Sequence, residues 1–148
     1  MKLKIAWIGR TKEPAFQSLA VEYSKRISRY IQMESQEFGS EEALLKWIDK
    51  ITPKPFFVAL ESRGKQLSSE ELAKFIGNHQ DRGTQAMLLA IGPPNGWSET
   101  ALKAAQYQLS MGKMTLPHEL ALVVMLEQVY RAYTILKGHP YHSGHSHK

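Results

Sequence analysis

No cysteine occurs among the 148 residues of the chain. That absence excludes disulfides, cysteine-ligated zinc, iron–sulfur clusters and thiol nucleophiles. Long apolar runs are lacking too: stretches such as Leu120 to Leu126 fall well short of the roughly 20 residues of a membrane span. The opening Met-Lys-Leu-Lys-Ile-Ala-Trp-Ile-Gly meets Arg10 and Lys12 too soon for a secretory signal. The expectation is a cytoplasmic protein with no membrane partner. There is no internal repeat, low-complexity segment or dividing linker, so residues 1–148 read as one domain. Net charge is +5, from 19 Lys and Arg against 14 Asp and Glu. With no basic arm, that balance leaves room for a polyanionic partner without showing one.

The apolar pattern alternates between two periods. Residues 3–8 read as a strand ending at Gly9, and Phe16, Leu19, Ala20, Tyr23, Ile27 and Tyr30 recur at helical spacing from about Pro14 to Tyr30. Ile31 to Phe38 alternates weakly. Ser40 opens a helix carrying Leu44, Trp47, Ile48 and Ile51, which Pro53 and Pro55 end. Phe56 to Leu60 and Ala86 to Ile91 are apolar throughout, as strands buried on both faces are. Between them Ser68 and Glu71 form a capping-box pair ahead of Leu72, Phe75 and Ile76. Ser98 caps a further helix, a short segment around Leu109 to Met111 follows, and Pro117 opens a long helix reaching Lys137. Alternating strands and helices predict an α/β fold with a mainly parallel sheet and helices on both faces. Ligands of such sheets lie beyond the carboxyl ends of the strands. Here those ends are Leu60-Glu61, Gly92 to Gly96, and Met111 to Leu116.

Each segment has a plain reading beside a functional one. Gly92-Pro93-Pro94-Asn95-Gly96 is neither a dinucleotide fingerprint nor a P-loop, and its two prolines remove amide donors, so a rigid turn is the simpler assignment. Gly112 to His118 joins a strand end to a helix start; with Pro117 at the first helical position, Leu116 would be an N-cap lacking a side-chain acceptor. Leu120 to Leu126 is apolar on every side, more than one core face needs, and a second copy of the chain is its natural cover. Glu127 and Arg131, four apart, suit a structural ion pair. No His-Glu-x-x-His or Ser-His-Asp set is present, and no metal site is assigned. His139, His142, His145 and His147 crowd the end of the chain, where residues 143–148 are expected to form a disordered tail.

Two long segments resemble one family closely. Lys113-Met114-Thr115-Leu116-Pro117-His118-Glu119-Leu120 and Leu126-Glu127-Gln128-Val129-Tyr130-Arg131-Ala132-Tyr133, followed by Pro140-Tyr141-His142, are similar to the RlmH family of small SPOUT-class methyltransferases. Glu22-Tyr23, Leu60-Glu61 with Gly64-Lys65, and Ile91-Gly92 with Asn95-Gly96 extend the resemblance over essentially the whole chain. The resemblance implies a SPOUT-type fold with a C-terminal trefoil knot, an exception to the rule against knots. It implies a homodimer, S-adenosyl-L-methionine as cofactor, and methylation of N3 of a pseudouridine in 23S ribosomal RNA, within the ribosome and without a DNA partner. Carried over, the cofactor contacts are Leu60, Gly92, Met111, Gly112, Lys113, Met114, Thr115 and Leu116. The catalytic candidates are His142 and Tyr141, with His118 second. Pro93 and Gly112 stand where the family usually has glycine and serine. A non-catalytic RNA-binding module with impaired cofactor binding is the alternative those departures raise.

Overall fold

The computed structural model describes residues 1–142. Five strands form one wholly parallel sheet in the order β2-β1-β4-β3-β5, with β1 Lys2–Ile8, β2 Met33–Phe38, β3 Phe56–Gln66, β4 Ala86–Ile91 and β5 Tyr107–Ser110. The helices are α1 Pro14–Ile27, α2 Glu41–Lys50, α3 Ser69–Asp81, α4 Glu99–Ala104 and α5 His118–Leu136. β4 lies at the centre and all six of its residues are buried, which is why its sequence shows no alternation. One core packs Ile27 of α1, Ile76 of α3, and Leu126 and Val129 of α5 against Leu3, Ile5 and Leu89. The other packs Leu44 and Ile48 of α2 against Ala6, Phe57, Leu88 and Ala90, with Leu102 of α4 at its edge. Helices therefore cover both faces, as expected.

Local signals set most boundaries. Ser40, Ser68 and Ser98 each accept a backbone N–H from three residues on, and Ser68 with Glu71 completes the capping box. Three elements differ from the sequence reading. α1 stops at Ile27, and residues 28–30 form a turn that brings the Tyr30 ring onto Tyr133. β3 runs on past Leu60 to Gln66, because after a register irregularity between Leu60 and Lys65 it pairs again with β5. Pro117 is itself the N-cap of α5, one position earlier than its expected place, and no side chain caps the helix.

α5 is apolar on more than its core face. Leu122, Val123, Met125 and Leu126 are buried, while Leu120, Ala121 and Val124 are only half-buried in the single chain. Tyr133 is 1% exposed, and its hydroxyl is the one buried side-chain polar atom without a hydrogen-bond partner among the described residues. Burial pushes its ionisation far up. An orphaned hydroxyl carries a desolvation penalty with nothing to offset it. Tyr133→Phe is therefore expected to raise the unfolding free energy by about 1 kcal/mol, read as a higher urea midpoint at unchanged slope; a lower midpoint would show that the hydroxyl has a partner.

Candidate functional site

The irregular stretch of β3 from Leu60 and the carboxyl ends of β4 and β5 converge with the start of α5 around a pocket of about 880 Å³, within the range of small-molecule and cofactor sites. Of the eight residues expected at a cofactor wall, seven line it: Leu60, Gly92, Met111, Gly112, Met114, Thr115 and Leu116. Lys113 is not among the lining residues and is exposed. Segments separated by some fifty residues of sequence meet here because parallel strands all end on the same side of the sheet.

The wall is braced by groups that sequence reasoning did not single out. Trp97 Nε1 donates to the carbonyl oxygen of Leu60 at 2.8 Å, tying the β4–α4 loop to β3 where its register breaks. The same indole lies over Gly92, where an added Cβ would come within 2.7 Å of it. Gly92 thus makes room for Trp97. Pro93 to Gly96 form the expected rigid turn, with Gly96 N–H donating to Pro93 O at 2.8 Å and Gly96 at φ +90°. Ser110 Oγ accepts from Gly112 N–H at 3.1 Å and lies 3.0 Å from Ser62 O, to which it can donate, linking β5 to the bend in β3. Gly112 has φ +127° with no atom within 4 Å of a built Cβ. Its backbone conformation favours glycine and leaves open space beside it.

Two further contacts fix the mouth of the pocket. His118 Nε2 donates to Arg10 O at 3.2 Å, which sets its tautomer and leaves only Nδ1 available as an acceptor. Glu119 accepts from the backbone N–H groups of Lys12 and Glu13, clamping the β1–α1 loop to the start of α5.

Tyr141 and His142 are elsewhere in the same chain. The Tyr141 hydroxyl donates to Glu127 Oε2 at 2.8 Å, its ring meets Tyr130 edge-on, and the Arg131 guanidinium lies over its face. Arg131 also donates to Glu127 at 2.8 Å. Burial and the Glu127 carboxylate together push the Tyr141 phenol far up, so it is a donor at any ordinary pH. Arg131 Nη1 donates to His142 Nδ1 at 3.1 Å, and His142 Nε2 donates to Glu70 Oε2 at 3.1 Å. Glu70 is held below the usual carboxylate range, first by backbone hydrogen bonding and then by His142. Ala121 lines the pocket, and the 1.5 Å rise per residue places Arg131 about 15 Å further along the helix axis. Within one chain the tail residues and the pocket are therefore separate, and neither Tyr141 nor His142 is among the pocket's lining residues. Among the described residues no three His, Asp or Glu side chains group as metal ligands, and no helix is long and apolar enough to cross a membrane. His145 and His147 lie outside the described residues.

The chain is similar to known proteins at both levels. A family model described as "Predicted SPOUT methyltransferase" matches residues 1–142. The protein "Ribosomal RNA large subunit methyltransferase H" of Koribacter versatilis is 60% identical over 146 residues, covering 98% of this chain and all of the relative. Its counterpart in Trichlorobacter lovleyi is 39% identical, covering 96% of this chain and 99% of that protein. Among solved structures, a probable methylase family protein from Haemophilus influenzae matches with a TM-score of 0.61 at 10% identity, over 94% of this chain and 69% of that one. The SpoU methyltransferase AviRb from Streptomyces viridochromogenes, solved in complex with the cofactor AdoMet, matches with a TM-score of 0.51 at 11% identity, over 86% and 56%. At such identities the structural matches speak for the fold.

Proposed function

The chain belongs to the SPOUT methyltransferase family, and from that premise we propose that it methylates large-subunit ribosomal RNA, transferring a methyl group from S-adenosylmethionine to N3 of a pseudouridine in 23S rRNA. The observation that carries this reading is full-length identity of 60% to a ribosomal RNA large subunit methyltransferase. The pocket fits the cofactor in kind: its volume suits an adenosyl group with an amino-acid tail, and Gly112 leaves open space on the wall. Leu60, Gly92, Met111, Gly112, Met114, Thr115 and Leu116 would hold it, with Lys113 at the rim facing solvent and RNA.

When bound, the cofactor supplies a methyl group already activated on a positively charged sulfur. The chain's residues therefore position and desolvate more than they activate. The imide nitrogen must give up its proton, and an acceptor near neutral pH assists. His142 takes that role in this reading and Tyr141 stacks on the splayed base. Because both lie away from their own pocket, the tail of one subunit serves the pocket of a second. A homodimer fits this requirement and covers the half-buried Leu120 and Val124 on α5. The trefoil knot rests on the family match and belongs to the same reading. So do a cytoplasmic location and the ribosome as the setting of the substrate.

Calorimetric titration with S-adenosylmethionine tests the cofactor assignment. Saturable heat at one molecule per chain is expected. Its absence at millimolar concentration would leave an RNA-binding module in which the turn at Pro93 and the loop at Gly112 no longer accept the cofactor.

A further inference from the structure

We propose that Glu61 is the residue by which the pocket reads the charge of the cofactor, favouring the methylated sulfonium over the demethylated thioether product; this rests on the function proposed above. Glu61 is the only carboxylate among the residues lining the pocket, and its side chain is 12% exposed. Its cationic neighbour is Arg63, whose Nε lies 3.3 Å away but whose side chain is 85% exposed. A contact to so solvated a guanidinium neutralises the carboxylate only in part. The carboxylate therefore keeps part of its charge uncompensated in a lining it shares with the apolar Leu60, Ile91, Leu109 and Leu116. Arg63 also lines the pocket, and His118, the remaining titratable side chain there, is tied to Arg10 O through Nε2.

The position of Glu61 is fixed by the fold. It follows Leu60 directly, and the Leu60 carbonyl is held by Trp97 at 2.8 Å, so β3 is braced at the start of its irregularity, where the acidic side chain departs. A carboxylate sunk in a pocket without a buried counter-charge suits a cationic ligand. The methyl donor carries a sulfonium and an ammonium against one carboxylate, a net charge of about +1. Once the methyl has moved to nitrogen, with the N3 proton passed to an acceptor, the sulfur is a neutral thioether and that attraction is gone. Glu61 thereby strengthens donor binding and eases product release. A purely structural role, in which Glu61 accepts from Arg63 to shape the bend in β3, needs an oxygen acceptor but no charge.

Glu61→Gln keeps the oxygen and removes the charge, so it separates the two roles. The experiment is calorimetric titration of the intact protein and of Glu61→Gln and Arg63→Ala with S-adenosylmethionine and, separately, S-adenosylhomocysteine, at low ionic strength. The expected result for Glu61→Gln is donor affinity weakened about 10-fold with product affinity changed by less than about twofold. Arg63→Ala removes the opposing charge, and its donor-to-product preference is expected to rise. Should Glu61→Gln fail to fold, shown by loss of its thermal transition, the Arg63→Ala ratio decides. An unchanged ratio in the variants, or equal loss of both ligands, overturns the charge reading while the functional reading stands. Failure of the unaltered protein to bind either molecule overturns both.

Discussion

Replacing His142 with alanine is expected to lower the rRNA methylation rate by roughly 10²-fold, the contribution typical of a general base, with S-adenosylmethionine affinity little changed. The split follows from the geometry. His142 makes its contacts with Arg131 and Glu70, away from the pocket of its own chain, so its loss leaves that cofactor wall intact. Its ring nitrogens face Arg131 through Nδ1 and Glu70 through Nε2. A neutral imidazole can accept a proton, and exchange of the Arg131 contact for the imide nitrogen of the substrate frees Nδ1 to do so. A tail that serves only as an anchor gives the opposite pattern. Turnover would then stay at the wild-type level from pH 6 to 9, while stability fell by about 1 kcal/mol through the lost hydrogen bonds.

Gly92→Val is expected to abolish detectable cofactor binding and to destabilise the fold by about 1–3 kcal/mol, the penalty of overpacking a filled site. The Trp97 indole lies 2.7 Å from where the new Cβ would sit. It cannot yield without losing its bond to Leu60 O, and the Leu60 and Gly92 walls would shift together. Differential scanning calorimetry of the cofactor-free protein, beside a cofactor titration, reads both quantities. A variant with normal stability and lost affinity would mean that Trp97 moves aside easily and that the ligand itself needs the glycine. Trp97→Phe removes the hydrogen bond while keeping a ring, and so isolates the brace.

The alternation of apolar strands and amphipathic helices was legible because each element buries its own pattern. β4 reads as continuous hydrophobic residues since both its faces are covered, and the capping serines act within three residues of themselves. The extension of β3 to Gln66 was not legible. It depends on renewed pairing with β5 beyond the irregularity at Leu60 to Lys65, a contact that no local pattern encodes. The pocket's place followed from the strand-end rule, and seven of the eight wall residues that the family resemblance implied line it. Its bracing did not: Trp97 meets Leu60 and Gly92, and Ser110 meets Ser62, only across the folded sheet. The chemistry of the ligand was readable from the family resemblance alone, since the glycine and proline loops exclude some nucleotide sites without naming a replacement.

Methyl transfer itself is the most direct test of the central claim. Purified protein, S-adenosylmethionine carrying a deuterated methyl group, and ribosomes lacking the modification would be incubated together, and 23S rRNA fragments then mapped by mass spectrometry. The account predicts one labelled methyl group on a single pseudouridine, on its N3, and no label when S-adenosylmethionine is omitted. Label on a different class of nucleotide, or none on rRNA from a protein shown to bind the cofactor, would contradict it.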